Sequence, residues 1–222
     1  MSTVEAEIPD RWDPEPRWPA VIAIMAVAGL SVVLPPALVI ISPWWFLAII
    51  AALIIATVLT HWRKYHTLDR FLGFTISGVL TLWVIASVVL LIAALPDHKE
   101  TPAELLSSAA ILWATNVLVF SLWYWRLDAG GPHGRDSRFG HHYGAFLFPQ
   151  MTLPPETKKK AKQQGWSPNF VDYLFLAFNT STAFSPTDVP VLERWAKVIM
   201  MIQSVISLTV LALLAARAVN IL

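Results

Sequence analysis

At 222 residues, 56% hydrophobic and only 14% charged, with a mean hydropathy of +0.57, the chain is too apolar for a water-soluble domain, where about 25% of residues carry charge. Its net charge of +1 leaves no basic surplus for a nucleic-acid partner. With no cysteine, disulfides, thiolate nucleophiles and Cys-ligated metals are excluded. The composition predicts an all-α, polytopic membrane protein whose first partner is the lipid bilayer.

Residues 1–18 form an acidic tail rich in Pro and Trp, without the apolar core of a signal peptide. A first span is expected over Pro19–Ile41, kinked or cut short by Pro35-Pro36. Ser42-Pro43-Trp44-Trp45 reads as a tight connection whose tryptophans suit a membrane–water boundary. A second span covers Trp44–Thr60 and ends in the basic, aromatic segment His61–His66. The third, Phe71–Leu95, opens with Gly73, Gly78 and several hydroxyls, residues that let helices approach closely in lipid. Thr101 and Glu104 have the spacing of a capping box ahead of a fourth span, Leu105–Trp125. These four spans make up a membrane region over residues 19–126.

Residues 127–167 read as a polar, basic loop. It holds Gly130-Gly131, His133, His141-His142, an apolar island at Ala145–Pro149 and a lysine run at 158–162. The histidines lack metal-ligand spacing and are expected in a solvated loop. No serine-hydrolase elbow, zinc-protease helix or phosphate-cradling loop is present. No cofactor is implied, and there is no positive case for an enzyme.

The last segment, 168–222, is the most informative. Phe170–Phe178 is a greasy helix too short to cross a bilayer, which takes roughly 20 residues. A polar hinge follows, Asn179 to Asp188, and then a helix of spanning length from Val191 to Ala218. A half-length helix, an oxygen-rich bend and a full span are the marks of a re-entrant hairpin, tolerated at membrane depth only where buried or lining a wet path. Five transmembrane helices plus this re-entrant helix are therefore expected. With the N-terminus in the cytoplasm, every Lys and Arg except Lys99 and Arg217 falls on the cytoplasmic side, and the hairpin enters from that face.

Asn179, Thr180, Ser181, Thr182, Ser185 and Thr187 offer oxygens that either replace an ion's hydration shell or satisfy freed backbone groups. The N-terminal dipole of the last span is expected to point at the same site. Asp188 either tunes a pore mouth or caps the last helix. Gln203 and Ser207 share one face of that helix, lining a wet path or joining helices. Asn116, mid-way along the fourth span, reads as interhelical glue. The resulting expectation is a cation-conducting, pore-loop-type homo-oligomer, tetramer first, since one hairpin encloses no path alone. The alternatives are a small-solute transporter and a non-conducting structural or regulatory subunit.

The order of Asp172-Tyr173-Leu174-Phe175, Phe178-Asn179-Thr180, Thr182, Asp188-Val189 and a final span resembles the pore helix, filter and inner helix of potassium channels. Their filter reads Thr-Val-Gly-Tyr-Gly-Asp. Here Ala183-Phe184-Ser185-Pro186-Thr187-Asp188 has no glycine and contains a proline, so the likeness is of layout and does not extend to potassium selectivity. Trp125-Arg126, Gly130-Gly131, Phe148-Pro149, Asp172-Tyr173 through Asp188-Val189 and Ala218-Val219-Asn220 also resemble a family of bacterial inner-membrane proteins built on a domain of unknown function. That resemblance implies a multi-span protein of the bacterial plasma membrane.

Overall fold

The computed structural model describes residues 15–63, 65–94, 101–137, 141, 143–160, 165–183 and 188–219. Among these the chain forms nine α-helices and no β-strand: α1 Trp18–Val33, α2 Pro43–Trp62, α3 His66–Ala94, α4 Pro102–Leu127, α5 Gly131–Asp136, α6 Pro149–Thr152, α7 Pro155–Lys160, α8 Phe170–Ala183 and α9 Arg194–Val219. Four of them, α2, α3, α4 and α9, are long and apolar enough to cross a membrane. The first apolar helix, α1, has 16 residues.

Local chemistry sets the boundaries. Pro35 holds the preceding Leu34 extended, at φ −68° and ψ 139°, because a residue before proline is driven out of the helical region. That ends α1 early, and a single 3-10 turn, Pro36–Leu38, fills the gap to α2. The Thr101–Glu104 box forms at the start of α4: the Thr101 hydroxyl accepts the Glu104 N–H, and the Glu104 carboxylate accepts the Thr101 N–H at 2.8 Å. Thr101→Ala removes the first of these bonds, so the thermal midpoint in detergent is expected to fall by the equivalent of about 1 kcal/mol. At α8, Asn169 Oδ1 accepts the Val171 N–H and the Asp172 carboxylate accepts the Asn169 N–H, both at 2.8 Å. Asp172 thus helps to cap the first turn of α8.

Core packing follows from the faces of the helices. α4 runs through the middle, against α1, α3, α8 and α9, while α2 packs on α1 and α3. Leu112, Val119 and Leu122 of α4 are fully buried, as are Val27 of α1 and Leu80 of α3. Outer faces stay apolar and open, among them Leu82, Val89, Val205 and Leu208, as do Trp44, Trp45 and Trp62 at the two ends of α2. A surface of that kind is costly in water and suited to lipid.

Two boundaries in the last segment differ from the sequence reading. The hinge expected from Asn179 onward is still helix through Ala183; Thr180 and Thr182 donate to the carbonyls of Leu176 and Phe178, at 2.8 and 2.9 Å, which satisfies their hydroxyls inside the helix. The last helix begins at Arg194, later than Val191. Leu147 N–H donates to Pro190 O at 2.9 Å and Leu192 N–H donates to Ala145 O at 2.8 Å, so the backbone at 190–192 is committed to the Ala145–Leu147 segment and is unavailable to a helical turn.

Candidate functional site

The first candidate is the hairpin. Val191 pairs with Phe146 in an isolated antiparallel bridge, and the Phe146 ring also meets Tyr173 of α8 and Trp195 of α9 edge-on. Both ends of the excursion from 170 to 191 therefore lie at Phe146. α8, with 14 residues, is about 21 Å long. The chain from Ala183 to Val191 can extend about 27 Å, enough to return along it. α8 lies between α4 and α9, with Phe170, Tyr173, Leu176, Ala177, Thr180 and Ser181 buried, while Val171, Phe175 and Phe178 are exposed.

The polar candidates separate into two groups. Thr182 and Asp188 are exposed, and Asn179 is half-buried. Ser185 and Thr187 lie outside the described residues. Asp188 is not the cap of the last helix, since α9 starts six residues beyond it. The first turn of α9 sits at Phe146, where Trp195 meets its ring.

Thr180, Ser181, Gln203 and Ser207 face inward. Gln203 Nε2 donates to Ala177 O and Ser181 Oγ, both at 2.8 Å, and its Oε1 accepts the Tyr124 hydroxyl. Asn116 Nδ2 donates to Gln203 O at 3.2 Å and to Ser207 Oγ at 2.8 Å. The side-chain amide of Gln203 thus uses both donors and its carbonyl to tie α4, α8 and α9 together. Within the chain Gln203 and Ser207 are buried and join helices.

A second cluster sits where α4 ends. Asp128 is fully buried; it accepts the Ala145 N–H at 2.5 Å and the Tyr173 hydroxyl at 2.6 Å, and His141 Nε2 lies 3.4 Å away. Burial raises the Tyr173 phenol well above its ordinary value, which keeps the hydroxyl a donor. Gly144 leaves room for these groups, as a Cβ there would fall 2.6 Å from both Asp128 Oδ1 and His141 Nε2. Arg135, also buried, donates to the carbonyls of Trp125 and Asp128 at 2.9 and 3.0 Å and pairs with Glu15 at 2.8 Å. It closes the C-terminus of α4, where free carbonyls need donors. His141 therefore does not lie in a solvated loop: it is buried beside Phe148 and Trp166, while His133 is half-buried with Nε2 at 2.7 Å from Asp69. His142 lies outside the described residues. Among the described residues no three His, Cys, Asp or Glu side chains gather as a metal ion requires.

Beside this cluster, a cleft of about 970 Å³ opens between the starts of α1 and α3 and the ends of α2 and α4, with α5 as its roof. Its charged end carries Arg17, Asp69, Arg70, Arg126, His133 and Asp136, and its other end Ile24, Ile54, Val58 and Ile76. Arg17 pairs with Asp136 at 2.8 Å and reaches His133 Nδ1 at 3.3 Å. Arg126 lies flat on α3 at Gly73, where a Cβ would fall 1.7 Å from its Nη1. Its Nε is buried without a hydrogen-bond partner. Sequence reasoning placed Arg126 only at the end of a span and missed this cleft; the available signal was a glycine one turn after Asp69 and Arg70, opposite an arginine.

Comparison with protein-family models, with curated proteins and with solved structures finds no match to this chain.

Proposed function

We propose that the chain is one protomer of a homo-oligomeric, pore-loop-type cation conduit of the bacterial plasma membrane, a tetramer in the simplest arrangement. In this reading α1, α2, α3, α4 and α9 are five spans, the N-terminus is cytoplasmic and α8 is the re-entrant helix. One observation supports it above the others: α8 packs on both α4 and α9, its first turn meets Phe146 through Tyr173, and the chain is back at Phe146 by Val191. The last carbonyls of α8 have no helical partners and carry the negative end of its dipole, which favours a cation at the deep end. Thr182, Ser185 and Thr187 would supply oxygens there and Asp188 would concentrate cations at the mouth.

The test is cation flux into liposomes holding the full chain. Asp188→Asn should lower the flux roughly tenfold at low ionic strength, with the deficit shrinking as salt screens the charge. Thr182→Ala should reduce it without that salt dependence. No flux from wild type, or flux in both variants equal to that of wild type, rejects the conduit. A second reading, a non-conducting membrane subunit, is favoured by one feature, that the whole side-chain amide of Gln203 is engaged inside the protomer. A monomer by size measurement, together with absent flux, selects it.

A further inference from the structure

The cleft between α1, α2, α3 and α5 has no part in the hairpin, and its chemistry is distinct. Each acid on its wall already meets a cationic or imidazole partner: Glu15 pairs with Arg135, Asp136 with Arg17, and Asp69 lies against His133. Two guanidinium groups form no ion pair among the described residues, although Asp69 attracts one of them, Arg126. Arg70 is exposed and sits 5.7 Å above the Phe74 ring. Arg126 lies 5.4 Å from the Trp125 ring with Asp69 and Arg17 as its charged neighbours, and its Nε has no acceptor. A guanidinium carries five donors and no acceptor, and leaving a buried charged donor unmatched is costly. Its planar fork matches phosphate oxygens in pairs.

The rest of the cleft is apolar and directional. Arg17 to Ile24 on α1 and Arg70 to Ile76 on α3 each cover roughly two helical turns, about 10 Å, and Val58 and Ile54 of α2 line the same depth. An arginine end at the boundary and an aliphatic trough leading into the membrane describe the two halves of an anionic amphiphile. We propose that this cleft is a binding site for a phospholipid of net negative charge, its phosphate on Arg126 and Arg70 and one acyl chain along Ile24, Val58 and Ile54. Free phosphate shares the headgroup chemistry but would leave the aliphatic trough unfilled. Gly73 is then the positioning residue, since the Nη1 and Cζ atoms of Arg126 occupy the space that a side chain there would take.

The full chain in detergent, titrated with dioctanoyl phosphatidylglycerol, dioctanoyl phosphatidylcholine or inorganic phosphate, tests this by the rise in thermal midpoint, since a ligand of the folded state stabilises it by mass action. Phosphatidylglycerol should give a saturable rise, and the other two should give much less at equal concentration. Arg126→Ala should weaken the apparent affinity for phosphatidylglycerol about tenfold, the effect of a lost charge-assisted bond. Val58→Trp, which fills the trough from a half-exposed site and leaves the arginines alone, should weaken it to a similar extent. Arg70→Ala, at an exposed position, should do so severalfold. Equal responses to phosphatidylglycerol and phosphatidylcholine in wild type overturn the proposal. So does a full response to inorganic phosphate, or unchanged affinity in both Val58→Trp and Arg70→Ala, whatever becomes of the Arg126 variant's folding.

Discussion

Asp128→Ala is expected to destabilise the fold by about 3–5 kcal/mol, the usual cost of removing one partner from a buried charged network. The carboxylate is fully buried and accepts the Ala145 N–H and the Tyr173 hydroxyl, with His141 close by. Its loss orphans a donor on the loop and another on α8. The damage should be local first: amide exchange at 143–148 and 170–175 should accelerate before that of α3 or α4. Asp128→Asn keeps one acceptor oxygen but turns an amide donor toward the Ala145 N–H or the Tyr173 hydroxyl. It should cost less, about 1–2 kcal/mol. An alanine variant within about 1 kcal/mol of wild type, measured by denaturant unfolding in mixed micelles, rejects this account.

Gln203→Leu has the second largest expected effect. It keeps similar bulk and removes three side-chain hydrogen bonds, each about 0.6–1.7 kcal/mol in a membrane interior, for a total loss of about 2–5 kcal/mol by that arithmetic. It also leaves Tyr124, which is fully buried, to find another acceptor. Because both donors of Gln203 reach α8, the loss should appear as separation of α8 from α9, read as solvent or lipid access at Ala177. Gln203→Glu keeps the acceptor and loses both donors to α8, so it should retain the Tyr124 contact and still loosen α8. A leucine variant as stable as wild type would mean that lipid-facing packing alone holds the three helices.

The helical, membrane-compatible class was legible because it rests on composition and length, and neither depends on tertiary contacts. Boundaries with purely local causes were legible too, such as the Thr101–Glu104 box and the stop before Pro35. Long-range chemistry hid the rest. Asp128, an acid at a helix C-terminus, opposes the local dipole and makes sense only once Tyr173 and the Ala145 N–H arrive from elsewhere. The island Ala145–Pro149 looked like apolar residues stranded in a polar loop. In fact Ala145, Phe146 and Phe148 are core residues, and their pairing with 190–192 moves the start of α9. Thr180 and Thr182 were placed in a hinge, yet they lie within α8 and their hydroxyls fold back onto it. Arg126 was the least visible, since nothing in its own segment tells that Gly73 has left it a seat.

The Phe146–Val191 pairing also has a mechanical meaning. Two backbone bonds fasten residues 145–147 to 190–192, and Trp195 in the first turn of α9 rests against Phe146, so a tug on that short ribbon reaches α9 with no slack between. Anything that grips the chain near Leu147–Pro149 holds a lever on the longest-reaching helix of the tail. The loop is thus a handle as well as a connector.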